Sequence, residues 1–380
     1  MPAKKSKDTV KKKTSTKPAA TAEVVEPVSS GPREKGRERI LVTGATGFIG
    51  QHVVRALLDD GYQVRALCRG PAEELAREGV EIFRGDVLDA ESVTQAMSGV
   101  DKVVHGAGTV SREDADRPYM MKVHITGTRF VVMAAAAAGV SRVVNLSTSG
   151  VVALTDASDM VTHEEDPVPF ELLVRYPYYL SKFLADRAAA DAIRLSDSSC
   201  ELITLNPSLV LGPGDVRGSS TQDVRRFLGR EIPIIPSGGF SFVDVRDVAQ
   251  ATCRALTHGR SGERYLLGTM NLTFAEFFQR LEEVSGVAGP SLPVALPGRF
   301  SRLAIGALER IAGTVGAKLP VSALEAEMAS RYWYVDARKA MEELDFSPRD
   351  PMETLLDTVK DIRGLTVEER FAGRTPQQVA

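Results

Sequence analysis

The sequence is poor in the residues that staple a chain or hold a metal. Its 380 residues include three cysteines, five histidines and a single tryptophan. Cys68, Cys200 and Cys253 are far apart, with no CxxC pair, which excludes a disulfide framework or zinc knuckle and fits a reducing compartment. His52, His105, His124, His163 and His258 form no His-x-x-x-His pair, so no helical metal site is read. Long apolar runs are also missing. A stretch such as Val131–Val140 falls well short of the roughly 20 residues that cross a bilayer, and the charged N-terminus lacks the apolar stretch of a signal peptide. The expectation is a soluble, cytoplasmic protein. Neither charge dominates, with 47 Lys and Arg against 50 Asp and Glu, but the near-balance hides an asymmetry. Residues 1–20 carry +6, and the remaining 360 residues carry −9. The body is acidic, and no specific nucleic-acid partner is expected.

What is present is ordinary globular chain: 43% apolar and 26% charged residues, enough length for a large core. Residues 1–37 stand apart. They are Lys, Ser, Thr, Pro, Ala and Glu with almost no large apolar side chain, and cannot offset their ordering entropy by burial. This segment reads as a disordered basic tail, either a solubilising extension or an arm for an acidic partner. From Glu38 strands and helices alternate. Strands are predicted at Arg39–Thr43, Gln63–Cys68, Val80–Arg84, Lys102–His105, Arg142–Leu146 and Glu201–Leu205. Helices are predicted at Gly47–Asp60, Ala72–Glu78, Ala90–Met97, Tyr119–Ala138 and Tyr178–Leu195. Such alternation argues for an α/β fold of Rossmann type, a doubly wound parallel sheet. After residue 208 the rhythm breaks, and residues 209–366 read as a smaller, mostly helical C-terminal substrate lobe with some return to the core. Residues 38–208 form the dinucleotide-binding domain, and 367–380 a flexible tail.

Two patterns carry chemistry. Gly44, Gly47 and Gly50 lie in TGATGFIG between the first strand and first helix, with Thr46, Phe48 and Ile49 between and beside them. Such a turn lets backbone approach a pyrophosphate at a helix N-terminus. At the end of the second strand, where an acid would bind the ribose hydroxyls of NAD, stands Arg69. A guanidinium there could pair with a 2′-phosphate, which favours NADP over NAD, or could be a solvated strand-end arginine. Asp86 and Val87 follow the third strand, the aspartate placed either to meet an adenine amino group or simply to make a turn. Farther on, Tyr178 and Lys182 share one helical face at i and i+4. An ordinary phenol titrates near pH ~10, and a close ammonium would bring it toward acid–base range.

With the serine-rich strand end at Ser147–Gly150, these motifs resemble the extended short-chain dehydrogenase/reductase family, the NAD(P)-dependent epimerase/dehydratase group. The likeness runs from about Arg39 to Arg363. It takes in Gly85–Val87, Val103–Gly108, Tyr178–Lys182, Asn206–Asp215, Phe242–Ala249 and Ala340–Pro348. The resemblance implies that Tyr178 is the general acid/base, that Lys182 lowers its pKa and binds the nicotinamide ribose, and that Ser149 polarises the substrate oxygen. It implies cofactor contacts from Ala107 and, flanking the carboxamide, from Pro207 and Ser208. Two departures stand out. His124 replaces the family asparagine, read either as a packing residue or as an altered proton relay. Gly238-Gly239-Phe240-Ser241 stand where nucleotide-sugar enzymes often carry a phosphate-binding arginine.

The Asp-Glu pair of sugar dehydratases is absent after Thr148, where Ser149 and Gly150 stand. The neighbourhood of Val110, Val151, Val152, Leu209 and Val210 favours an uncharged, rather apolar carbonyl or alcohol. The pattern looks closest to the dihydroflavonol reductase and 3β-hydroxysteroid dehydrogenase branch. A nicotinamide-dependent oxidoreductase acting on a steroid-, flavonoid- or ketone-like molecule is expected. An NAD-dependent sugar epimerase is the alternative, and a non-catalytic NAD(P)-binding regulatory protein a third. The expected partner is a small-molecule substrate, with room for a homodimer. Arg299–Ala317, between Pro297 and Pro320, reads as a lid helix or a membrane-surface helix.

Overall fold

A computed structural model describes residues 37–110, 114–232, 235–290 and 323–364, all within the unit Arg33–Ala380. The basic tail up to residue 36, the helix expected at Arg299–Ala317 and the tail 367–380 lie outside the described residues. The first six strands are β1 (Arg39–Thr43), β2 (Gln63–Cys68), β3 (Glu81–Arg84), β4 (Lys102–His105), β5 (Arg142–Leu146) and β6 (Glu201–Pro207). The chain then makes β7 (Leu209–Leu211) and β8 (Gly239–Asp244) and returns as β9 (Arg264–Leu267). The main sheet runs β3-β2-β1-β4-β5-β6-β9 with every pairing parallel.

Alternate residues along these strands feed opposite faces. Ile40, Val42, Val104, Val144, Ile203 and Leu205 pack with Val53, Val54 and Leu57 of the helix Phe48–Asp59 and with Val248 of the helix Val245–Ala255. Leu41, Val103, Val143 and Leu202 pack on the other side. They meet Val93 of the helix Ala90–Ala96, Val131, Val132 and Ala135 of the helix Thr128–Ala137, and Ala189 of the helix Pro177–Arg194. Because both faces are covered, the strands read as continuous apolar runs. The turn from the first helix into β2 closes as a Schellman motif: Gly61, at φ +82°, donates to Leu58 O (2.9 Å), and Tyr62 donates to Leu57 O (3.0 Å).

The long helix predicted over Tyr119–Ala138 is interrupted. A helical turn at Arg117–Met121 passes into a π-helical turn, Lys122–Gly127, before the α-helix Thr128–Ala137. Periodicity of apolar residues does not register such a turn, because the residues on either side keep the same buried face.

The C-terminal part contains helices and also a four-stranded sheet, which the sequence reading did not anticipate. Here β8 is flanked by β10 (Met270–Thr273), antiparallel to it, and by β7 and β11 (Tyr332–Trp333), parallel to it. These strands are two to six residues long, too short for alternation to be read from sequence. Their core is aromatic: Phe227, Phe240, Phe242, Phe277 and Phe278 pack with Leu281, Leu355 and Val359.

The FVDVRDVA motif is a clamp between the helices Val245–Ala255 and Pro351–Ile362. Asp244, fully buried, caps the first by accepting Arg246 N–H (2.8 Å) and takes the same residue's guanidinium at 2.8 and 2.9 Å. Arg246 also reaches Asp357 (2.8 Å), and Arg349 binds Asp247 (2.8 Å). Burial alone would raise the Asp244 carboxyl, but the Arg246 hydrogen bonds and charge outweigh it and hold the group below its ordinary range. The clamp's stability is therefore present above pH ~4 and is lost as pH falls through the depressed value. Asp244→Ala should cost about 2–3 kcal/mol in a thermal or urea melt near neutral pH. A variant as stable as the parent would show that the clamp contributes nothing.

Candidate active site

The strand order reverses between β1 and β4, the switch point at whose C-terminal edge doubly wound sheets bind ligands. Gly44, at φ +76°, opens the turn after β1, and a Cβ there would lie 2.5 Å from the Gly106 carbonyl after β4. A Cβ at Gly50 would collide with the Gly44 carbonyl oxygen, and Gly47 donates to that same oxygen at 2.9 Å. The helix Phe48–Asp59 starts at Gly47 with no side-chain cap and no acid in its first turn. Its free N–H groups and dipole suit an anionic pyrophosphate. Thr46 is exposed on the turn, while Phe48 and Ile49 are half-buried against the core.

The remaining cofactor candidates stand around the same edge. Arg69 is exposed at the end of β2, its Nη1 donating to the Tyr119 hydroxyl (2.5 Å). Asp86 makes a turn, its Oδ1 accepting from Leu88 N–H (3.0 Å), and Val87 is buried beside Gly127. Ala107 N–H donates to Thr43 Oγ1 (3.2 Å). At the end of β6, Pro207 and Ser208 are buried, and Ser208 N–H donates to Leu267 O (2.9 Å). Ser208 Oγ is buried without a partner, as is Asn206 Oδ1, while Asn206 Nδ2 holds Thr148 O (2.8 Å). An uncapped helix start, a turn that excludes Cβ atoms and an orphaned hydroxyl at the far end fit a nicotinamide dinucleotide.

The catalytic candidates lie on elements that pack together at the end of β5. Ser149 is buried in the 3₁₀ turn Ser149–Val151, which packs against the helix Pro177–Arg194 carrying Tyr178 and Lys182. Lys182 Nζ donates to Leu146 O at 2.6 Å. Burial lowers the Lys182 pKa, with Asp186 opposing, and burial pushes the Tyr178 phenol up, with Tyr179 and Asp186 adding to the rise. The resemblance implied a phenol depressed by lysine. In this geometry the ammonium sits on the Leu146 carbonyl, and burial governs the phenol.

Sequence reasoning missed the polar scaffold beneath. Asp186 lies four residues beyond Lys182 on the same face, buried, and accepts from Asn145 Nδ2 (3.0 Å) and Ser147 Oγ (2.7 Å). Burial raises its pKa against the Lys182 charge and these hydrogen bonds. It ties the serine-bearing strand end to the tyrosine-bearing helix. The continued i+4 spacing was the available signal. His105 bridges Thr43 Oγ1 (2.7 Å) and Thr128 Oγ1 (2.9 Å). His124 is 2% exposed, its Nε2 accepting from Thr109 N–H (3.1 Å) and its Nδ1 within 2.7 Å of Ser181 Oγ.

Gly238 and Gly239 also find a reason. A Cβ on Gly238 would strike the Arg331 backbone, and one on Gly239 the Tyr334 hydroxyl, so no arginine side chain fits there.

Residues 40–268 match the model of the NAD dependent epimerase/dehydratase family. The chain belongs to that family. It is an NAD(P)-dependent enzyme of the extended short-chain dehydrogenase/reductase type. It is 31% identical over 328 residues to a Synechocystis sp. protein assigned as a dihydroflavonol 4-reductase, covering 84% of this chain and 92% of that one. It is 35% identical over 264 residues to sterol demethylase protein B of Methylococcus capsulatus, covering 68% and 78%. The crystal structure of gox2253 superposes with a TM-score of 0.75 at 28% identity over 86% of this chain and 98% of that one. Among the described residues no helix is long and apolar enough to cross a membrane, and no cluster of three His, Cys, Asp or Glu could hold a metal. The enzyme's cysteines are free and buried, and burial pushes Cys200 up to about 11 and Cys253 to about 12, which leaves them poor nucleophiles.

Burial, and then the nearby Lys182 charge, lowers both His105 and His124 to about 3 from 6.5. For His124 the His105 ring adds to the fall. Unfolded imidazoles bind protons below pH 6.5 while the folded ones do not, so this pair stabilises fully above 6.5 and progressively less down to about 3. The acid limb of Tm against pH should be shallower in His124→Asn than in the parent. An identical slope would show that His124 titrates alike in both states.

Proposed function

We propose that this enzyme uses NADPH to reduce the carbonyl of a rather apolar, ring-bearing small molecule, steroid-, flavonoid- or ketone-like. The observation that supports the reading is the packing of the turn that carries Ser149 against the helix that carries Tyr178 and Lys182, with Lys182 Nζ held on Leu146 O at the end of β5. In this reading residues 38–208 hold the cofactor and residues 209–366 shape the substrate pocket. When bound, the nicotinamide supplies the hydride. The Ser149 hydroxyl would donate a hydrogen bond to the substrate carbonyl oxygen, and Tyr178 the proton. The Lys182 ammonium, held on Leu146 O, would orient the ribose and stabilise the phenolate left behind. Arg69 is the group available for a 2′-phosphate, and no acid stands in its place.

Aromatic side chains around Tyr178 support a flat, apolar substrate. Tyr179 lies 5.2 Å from the Tyr178 ring and 4.8 Å from Trp333, which in turn lies 6.0 Å from Tyr176. A Cβ at Gly150 would collide with the Tyr179 ring, so the glycine after Ser149 makes room for this wall. Buried Arg331 holds the strand end before Trp333 through the Tyr176 hydroxyl (2.9 Å), Glu327 (2.9 Å) and Asp156. The sterol and dihydroflavonol in the relatives' names are molecules of this shape.

Trp333, the chain's only tryptophan, gives a direct cofactor assay. Titration should quench its emission with tighter binding of NADPH than NADH, and Arg69→Ala should erase the difference; equal affinities in the parent would end the NADP assignment. Tyr178→Phe should lower turnover by about a hundredfold or more while leaving NADPH affinity within a few-fold. Retained turnover would remove Tyr178 from the mechanism. Stoichiometric NAD carried through purification would instead move the reading to an epimerase.

A further inference from the structure

We propose that His124 is a positioning residue, a two-ended clamp fixing the loop after β4 to the first turn of the catalytic helix. The proposal rests on Tyr178 being the acid/base. The direction of each hydrogen bond follows from a single donor. Thr109 N–H can only donate, so the His124 Nε2 it meets at 3.1 Å is the unprotonated nitrogen. The ring proton then belongs to Nδ1 and is donated to Ser181 Oγ at 2.7 Å. Ser181 in turn donates its own proton to the Tyr178 carbonyl at 2.6 Å. The chain from loop to catalytic turn is complete and runs one way. The ring also stands edge-on to the Tyr178 ring, centroids 5.9 Å apart at 75°.

The backbone is shaped for this ring. His124 sits in the π-helical turn Lys122–Gly127, and such turns alter where a side chain points relative to the helix around them. A Cβ on Gly108 would come within 3.0 Å of His124 Nε2, so the loop closes on the imidazole as tightly as a glycine allows. An imidazole presents its donor and acceptor at opposite sides of a ring, whereas an asparagine amide carries both on one carbon. His124 therefore spans a gap between loop and helix that asparagine would not bridge in the same way. Both nitrogens are committed, so the ring cannot pass a proton without releasing one end.

The tautomer is testable without any substrate. In protein with ¹⁵N-labelled histidine, the resonance that disappears in His124→Asn should show the Nδ1–H form and stay neutral from pH 8 to 5. An Nε2–H form, or protonation in that range, would overturn the clamp. The positioning is tested through Tyr178 itself, its ¹³Cζ resonance assigned by Tyr178→Phe. His124→Phe, which keeps a ring, and Ser181→Ala should each shift that resonance, and the double variant no further than the larger single effect. Unshifted or additive responses would refute the coupling. With NADPH and an aryl ketone as probe, His124→Phe should lower kcat about tenfold with KM and NADPH affinity within twofold. A rise in KM with kcat unchanged would contradict it. Should Tyr178→Phe keep its turnover while the tautomer and coupling results hold, the clamp stands and the assignment of Tyr178 as acid falls.

Discussion

Seven parallel strands must be covered on both faces, and that burial decides where the chemistry can be. Ile40, Val42 and Val104 face one layer of helices, and Leu41, Val103 and Val143 face the other; a charged group on a face, such as Arg65, is buried only with partners, here Glu81 and the Ala96 and Ser98 carbonyls. Polar side chains that serve a ligand are driven to the strand ends. In a parallel sheet all C-terminal ends share one edge, and the glycine turn, Arg69, Asp86, Ala107, Ser149 and Ser208 all lie on it. The switch point between β1 and β4 is a consequence of strand order and not of any residue at it.

Just beneath that edge the rule is broken. His105, His124 and Asp186 are buried ionisable groups, and Lys182 is half-buried beside them. Each is kept tolerable by hydrogen bonds: His105 by two threonines, Asp186 by Asn145 and Ser147, Lys182 by Leu146 O. The direction of every shift is toward the neutral form, as burial requires. A polar network satisfied in this way is rigid, and fixed geometry at Ser149, Tyr178 and Lys182 is what the proposed hydride and proton transfer would need. Asp186 and His124 do not carry the signature chemistry, yet they connect β5 and the loop after β4 to one helix.

The legibility of this protein in its sequence varied with element length and with the range of the interactions. β1, β2, β4 and β5 fall at the predicted residues because each is a short apolar run closed by glycine, arginine or serine. The glycine turn and the Tyr178–Lys182 spacing were legible because they are local. The small sheet of β7, β8, β10 and β11 was not, since β11 is two residues long and pairs with a strand some ninety positions earlier. The π-helical turn escaped because its apolar residues keep helical spacing on both sides. Asp186 was in plain view at i+4 from Lys182, but only burial distinguishes it from a solvated helix aspartate.

By itself the sequence determined the fold class and the glycine turn and offered Ser149, Tyr178 and Lys182 as candidates, because strand runs, turns and i,i+4 spacing are local. Only the tertiary structure decided their electrostatic state. The phenol of Tyr178 is raised by its burial, the ammonium of Lys182 is committed to a strand carbonyl, and the ring of His124 is bonded at both ends. It also decided why Gly238 and Gly239 stand where an arginine was looked for: Arg331 and Tyr334, ninety residues away, fill the space. Charge state and room for a side chain are set by neighbours in three dimensions, and no spacing along the chain encodes them.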